Sequence, residues 1–326
     1  MKALICEGYG PIANLVVKDV PSPVPGPKQV LIEVKAASVN FPDALMVQGL
    51  YQVKPPLPFT PGAEISGIVK SVGTEVRHCK AGDRVIALTG TGGFAEECLA
   101  ESAKTMPLPA GMDFDAGAAL VLTYCTSLHG LKDCGHLKAG ETLVVLGAAG
   151  GVGISAIEIG KAMGARVIAA ASSDDKLELC RKVGADETVN YSTENLKDRI
   201  NELTSGRGAD VVYDPVGGPY TEPAVRALAW RGRLLIIGFA AGEIPKIPLN
   251  LALLKERSLV GVYWGDSTRH DPAGHLANLR QLNDWFAAGK IRPVVSERYT
   301  LDAARDALAA IANRQVKGKI VVVPDA

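Results

Sequence analysis

The chain has 326 residues, 47% of them hydrophobic and 21% charged, and its 35 Lys plus Arg are matched by 35 Asp plus Glu. That balance leaves no net field to draw nucleic acid or an anionic membrane surface, and no run approaches the roughly eighteen apolar residues of a membrane span. The length sets an expectation of two domains with a full core.

Residues 1–120 are rich in short β runs and turn residues. "KALIC", "QVLIEVKAA", "ISGIVKSVG" and "DRVIAL" read as strands, and the prolines of "VPSPVPGPK" and "VKPPLPFTPG" between them exclude regular ladders. From 121 to 265 the rhythm changes to alternating strand and helix. "TLVVLG" is a strand and "GVGISAIEIGKAMG" a helix; "RVIAAA" is the next strand, followed by the helix "DKLELCRKVG", closed by Gly184. "NLKDRINELTSG" sets Leu196, Ile200 and Leu203 on one helical face, and "DVVYD", "GRLLIIGF" and "SLVGVYWG" are further strands. Such alternation predicts an α/β doubly wound parallel sheet. The last 60 or so residues hold two amphipathic helices, around 274–288 and 302–313, and the strand "GKIVVVP". They are too few for a domain and are expected to pack back onto the first one. The six cysteines, Cys6, Cys79, Cys98, Cys125, Cys134 and Cys180, form no C-x-x-C pair, which points to reduced, mostly buried thiols in a cytoplasmic protein. "MKALICEGYG" has no long apolar stretch of the kind a signal peptide needs.

The strand "TLVVLG" runs into Ala148, Gly150, Gly151, Val152 and Gly153, which open a helix. In that context one glycine makes the turn, one admits a pyrophosphate to the backbone, and one lets the helix lie close to the sheet. The helix N-terminus adds unpaired N–H groups and a positive dipole end. Ala148 stands at the first glycine position, giving A-x-G-x-x-G. The next strand ends in "AAASSDDK", with Ala171 where NAD-binding folds carry an acid. Ser172, Ser173 and Lys176 offer hydroxyls and an ammonium to a 2′-phosphate, so NADP(H) is expected; Asp174 and Asp175 oppose it or simply charge the next helix's first turn. Lys176 reads alternatively as a solvated helix charge.

These motifs resemble the zinc-free quinone oxidoreductases of the medium-chain dehydrogenase/reductase superfamily, relatives of zeta-crystallin. The family fingerprint appears as Gly140-Glu141, "TLVVLG", Ala148 through Gly153, then Lys161; Glu158 replaces the usual Gln, a change expected to affect packing more than chemistry. "VNFPD" at 39–43, "PGAEISGIVKSVG" at 61–73, "KAGDRV" at 80–85, "VKGKIVV" at 316–322 and the run from Ile236 to Gly265 extend the match over essentially the whole chain. The resemblance implies a GroES-like β-rich catalytic domain, 1–120 and 266–326, with an inserted Rossmann NADP(H)-binding domain, 121–265, and the cofactor in the cleft between them. It also implies no metal. Asn40 stands where zinc-dependent cousins carry Cys, Ala63 stands where they carry His, and the four-cysteine lobe is missing. Without a Lewis acid, hydride delivery to an electron-poor acceptor is favoured over alcohol oxidation.

By the same resemblance Asn40 and Thr126 hydrogen-bond the nicotinamide end. The spacing from Asn40 through Asp43 and Gly49 to Tyr51 is similar to that of the related enoyl-thioester reductases, where a Tyr at this position orients or protonates the substrate. Thr126 reads equally as a helix cap, and Tyr51 as a half-buried loop aromatic. Tyr191 joins Ser172, Ser173 and Lys176 as an adenosine-phosphate contact. Val216, Gly238, Phe239, Ala240, Tyr263 and Trp264 lie at or just after sheet strands, where this fold puts its ligand, although Phe239 and Trp264 also read as core. Lys319 either approaches the cofactor from the tail or merely precedes the last strand. "SLVGVYWG" is expected as an edge strand, which in relatives pairs across a two-fold axis into a homodimer. The leading reading is an NADPH-dependent quinone oxidoreductase. A second is reduction of an enoyl thioester or alkenal. A third is an NADPH-binding structural or RNA-binding protein without turnover.

Overall fold

The computed structural model describes residues 1–324, which divide into two compact units: 1–122 with 293 onward, and 123–292. In chain order the first unit contains β1 (Lys2–Ile5), β2 (Val16–Asp19), β3 (Gln29–Ser38), α1 (Phe41–Val47), β4 (Glu64–Val72), β5 (Arg84–Leu88), β6 (Glu97–Glu101), β7 (Thr105–Pro107) and α2 (Phe114–Ala118), and α3 (Val121–Leu128) holds the division point. The second unit continues with β8 (Thr142–Leu146), α4 (Gly151–Ala162), β9 (Arg166–Ala171), α5 (Asp174–Lys182), β10 (Glu187–Asn190), α6 (Leu196–Leu203), β11 (Ala209–Asp214), α7 (Thr221–Arg226), β12 (Leu228–Ile236), α8 (Asn250–Leu253), β13 (Ser258–Gly261), α9 (Trp264–His270) and α10 (Pro272–Ala287). The chain then returns to the first unit with β14 (Val295–Thr300), α11 (Ala304–Ala312) and β15 (Lys319–Val323).

The second unit is a parallel sheet of order β10-β9-β8-β11-β12-β13. Its central strand β8 is buried along its whole length, as expected of a strand covered on both faces. Leu143, Val144, Val145 and Leu146 are each 0% exposed, and each stabilises the fold by roughly 1.5–3 kcal/mol through burial. The strand order reverses between β8 and β11, so the ligand crevice of such a sheet opens at the carboxyl ends of these two strands.

The first unit is a mixed sheet of order β14-β15-β3-β4-β5-β7, with β6 also on β3, and a small β1-β2 sheet. Its register places the polar centre described below. Val321 of β15 faces Ser38 of β3, so two residues further along both strands Lys319 comes opposite Asn40. On the other side of β3, Ala37 faces Ile65, which puts Ser38 opposite Glu64. Strands from the two ends of the chain therefore bring Lys319, Asn40, Ser38 and Glu64 into one row.

Three local expectations are corrected. The later division falls after Arg292 rather than at 265, so of the two C-terminal helices only α11 belongs to the first unit, while α10 stays with the second. "SLVGVYWG" is strand only as far as Gly261; Trp264 opens α9, because Val262 is the last residue whose N–H reaches β12, bonding the Ile236 carbonyl at 3.0 Å. Thr126 lies inside α3 rather than at a cap. β13 is the edge of the sheet, as its sequence suggested. No helix among the described residues is long and apolar enough to cross a membrane.

Candidate active site

In the second unit the centre is built from backbone. Gly147 leaves β8 with φ 56°, a left-handed conformation that favours glycine. Gly153, in the first turn of α4, has no room for a side chain: a Cβ would lie 2.5 Å from the Gly147 carbonyl oxygen and 2.6 Å from the Ala148 carbonyl carbon. This is the glycine that lets the helix lie close against the sheet. Gly150 differs. Its φ is −81°, and a Cβ would meet only the Gly147 oxygen, at an ordinary 3.4 Å. The fold alone does not require glycine there. A diphosphate at the α4 N-terminus would use that space, and Gly150, Gly151 and Val152 are all partly exposed there while Ala148 and Ala149 are buried. The residues present therefore fit a dinucleotide.

β9 ends at Ala171, which keeps the expected acid position apolar. Ser172 and Lys176 are brought together, with Lys176 Nζ donating to Ser172 Oγ at 3.4 Å. Ser173 instead turns its hydroxyl to Asp175. Asp174 is occupied by the Asn190 amide at 2.9 Å. Tyr191 packs on Tyr220 with ring centroids 4.4 Å apart. On the other side of β8 the loops after β11 and β12 meet: the Ala240 amide bonds Pro215 O at 3.1 Å, and Ala241 bonds Val216 O at 2.8 Å. Asp214, which the sequence reading overlooked, fastens this corner. Its Oδ1 accepts from the Val216 and Gly217 amides, both at 2.9 Å, and its Oδ2 from Thr221 at 2.6 Å. The signal was present in "YDPVGGPYT", an acid ahead of a Pro/Gly turn. Gly238 lies beside it, and Phe239 is 38% exposed, so it is not core. Tyr263, 59% exposed, caps α9; Trp264 packs its ring on His275 at 5.7 Å.

Glu158 on α4 is buried. It accepts from the Tyr124 hydroxyl and, at 3.0 Å, from the Arg292 amide. Burial pushes its carboxyl up to about 7 against the lowering effect of those two donors.

In the first unit the centre is built from side chains. Lys319 is 5% exposed, and its Nζ donates to Val39 O at 3.0 Å and to Asn40 Oδ1 at 2.5 Å. Asn40 Nδ2 donates to Ser38 Oγ at 3.0 Å, and Ser38 donates to Glu64 Oε2 at 2.7 Å. Glu64 Oε1 accepts from the Leu122 amide at 2.8 Å. Asn40 caps α1, and Asp43 Oδ2 takes the Asn40 backbone N–H at 2.8 Å. Asp43 Oδ1 is buried with no partner of good hydrogen-bond geometry, and the Gly62 amide gives it only weak support. Two carboxyl groups thus lie within the field of one ammonium, whose own hydrogen bonds go to Val39 O and Asn40 Oδ1. Burial pushes Asp43 up to about 7 and also raises Glu64, while burial lowers Lys319 against the pull of both acids. Glu64, with both oxygens accepting, is the ionised partner, and Asp43, with one oxygen lacking a partner, is the one that holds its proton as pH falls below neutrality. Among the described residues no three His, Cys, Asp or Glu side chains group as metal ligands. Tyr51 is half-buried against this unit's core.

The sequence singles out Asn40 and Lys319 but not their contact, and nothing in it assigns a role to Ser38 or Asp43. The Asn-x-x-Asp spacing of a helix start was visible; the pairing with a residue 279 positions away was not.

Residues 151–280 match the family of zinc-binding dehydrogenases, and 26–110 match the alcohol dehydrogenase GroES-like domain. A quinone oxidoreductase-like protein 2 homolog from Nematostella vectensis is 39% identical over 325 residues, covering 98% of this chain and 88% of the relative. A quinone oxidoreductase of Pseudomonas syringae pv. Tomato superposes with a TM-score of 0.91 at 31% identity, over 99% of both chains. The Escherichia coli quinone oxidoreductase complexed with NADPH gives 0.92 at 28% identity, over 99% of this chain and 100% of that one.

Proposed function

The chain belongs to the zinc-free quinone oxidoreductase family of the medium-chain dehydrogenase/reductase superfamily, and from that membership we propose that it is an NADPH-dependent, metal-independent reductase of electron-poor acceptors, quinones first. The observation that carries this reading is the turn at Gly150, where a glycine the fold does not need caps the N-terminus of α4. The bound cofactor supplies a hydride. The residues of the chain bind and orient it: the α4 N-terminus takes the diphosphate, and Ser172 with Lys176 takes the 2′-phosphate, flanked by Ser173 and Tyr191. Asn40 and Thr126 hold the carboxamide of the nicotinamide, and Val216, Gly238, Phe239, Ala240 and Tyr263 line its approach at the strand ends. Tyr51 donates the proton that the oxygen of a reduced acceptor requires.

Metal independence is supported by what stands among the carboxylates. The Lys319 ammonium already supplies the positive charge that Asp43 and Glu64 attract. The sheet edge at β13, with Ile244, Leu249, Leu253 and Leu254 exposed in the segment before it, supports a homodimer through this unit. Sedimentation at micromolar concentration would show twice the chain mass.

The test is NADPH oxidation, with chelator present, against benzoquinones and naphthoquinones, enones, alkenals and enoyl-CoA thioesters. Turnover of quinones above the other classes supports the reading. Activity on enoyl-CoA with none on quinones makes the chain an enoyl-thioester reductase, and cofactor binding with no turnover of any acceptor removes the enzyme reading.

A further inference from the structure

We propose that Lys319 is a positioning residue: from its buried site it fixes the side-chain amide of Asn40 in a single orientation, and Ser38 completes the grip from the other side. The proposal rests on the assignment of Asn40 to the nicotinamide end given above.

The orientation follows from donors and acceptors. An ammonium only donates. Its 2.5 Å contact therefore falls on the oxygen of the Asn40 amide. The nitrogen turns to Ser38, 3.0 Å from Oγ and 3.4 Å from the carbonyl oxygen. The one hydroxyl proton of Ser38 passes on to Glu64, whose other oxygen is held by the Leu122 amide. Each link has one direction. Reversing the Asn40 amide would set its NH2 against the ammonium, and its oxygen against a hydroxyl whose proton is already committed. Both faults would be buried, since Asn40 is 3% exposed and Ser38 and Glu64 are 0% exposed. Unpaired polar groups cost most in such surroundings. A surface asparagine turns over freely; this one meets the carboxamide of the nicotinamide with its polarity set in advance, which is what orientation of a hydride donor needs.

The placement is written in the sheet. β15 pairs with β3 in a register that brings Lys319 opposite Asn40, and the Val39 amide bonds Ile320 O at 3.0 Å between them. The lysine therefore does two things at once. It balances buried negative charge, and it orients the amide. The two can be separated by experiment.

Lys319→Met with Glu64→Gln removes one charge of each sign and deletes the donor to Asn40. The carboxamide introduced at position 64 can serve both Leu122 and Ser38, so nothing then decides which end of the Asn40 amide faces inward. The full-length protein and this double variant would be compared by thermal denaturation. Their dissociation constants for NADPH and for adenosine 2′,5′-bisphosphate, which lacks the nicotinamide, would be measured beside single-turnover oxidation of NADPH by 1,4-benzoquinone. The expected result is unchanged affinity for the bisphosphate, an NADPH dissociation constant about tenfold higher, and a hydride-transfer rate about tenfold lower. NADPH binding and transfer equal to wild type would overturn the proposal and leave Lys319 a charge balance only. If the double variant does not fold, Ser38→Ala decides: a loss of about threefold for NADPH with none for the bisphosphate supports the grip, and no split overturns it. If the unmodified protein binds no NADPH, the reading of the whole site fails before any variant is compared, and this proposal fails with it.

Discussion

In the parallel-sheet unit the turn from β8 into α4 contains no charged residue, and its chemistry lies in N–H groups and in the absence of side chains. In the mixed-sheet unit the opposite holds: an ammonium, a carboxyl, an amide and a hydroxyl are buried in one row across three strands, and a second carboxyl, Asp43, is buried in the first turn of α1. The first kind of centre depends on shape and is indifferent to pH. The second depends on a balance of charge and on proton positions, and Asp43 at about 7 makes it sensitive to conditions near neutrality. A site of backbone fails by steric intrusion; a site of buried charge fails by loss of a partner.

The largest effect is expected where shape matters most. Gly153→Val drives a side chain into the Gly147 and Ala148 backbone and should cost about 3 kcal/mol or leave the protein unfolded, read by denaturant unfolding. Gly150→Ala sharpens the contrast. It should raise the NADPH dissociation constant about tenfold or more while moving the melting temperature by only about 2 °C, because only a ligand competes for that space. A melting shift as large as that of Gly153→Val would place Gly150 among the structural glycines. Lys176→Glu sets a carboxylate beside Ser172 and should reduce the preference for NADPH over NADH about tenfold, measured as the ratio of dissociation constants.

The smallest effect concerns the buried acid of the α4 helix. The folded pKa of Glu158, about 7, lies above its ordinary 4.5. Its contribution to stability is therefore fully present below 4.5 and is lost as pH rises through 7. Glu158→Gln should accordingly stabilise the protein by about 1–2 kcal/mol at pH 8 and by little at pH 4.5, followed by urea unfolding at both values. A gain independent of pH would mean that the side chain acts through packing alone.

The same contrast explains what the sequence disclosed. The strand, the glycines and the helix of the nucleotide turn are neighbours in the chain, so their periodicity and spacing state the geometry directly, and Ala171 fell at the strand end as expected. The limits of β13 and the start of α9 are not legible, because the apolar run continues past the point where β12 stops offering partners. Asn40 and Lys319 were each singled out, but their pairing is a product of sheet register between the first 40 residues and the last ten or so. No local pattern encodes it. Asp43 was legible as a helix-start acid; that it would be buried beside a second carboxyl was not, since burial is decided by strands that arrive later in the chain.

The central claim is that this chain holds NADPH by its 2′-phosphate and diphosphate. Calorimetric titration of the unmodified protein with NADPH and NADH, side by side at physiological ionic strength, tests it most directly. The account predicts one site per chain and binding of NADPH about tenfold or more tighter than NADH. Equal affinities, tighter NADH, or no heat with either nucleotide would contradict it.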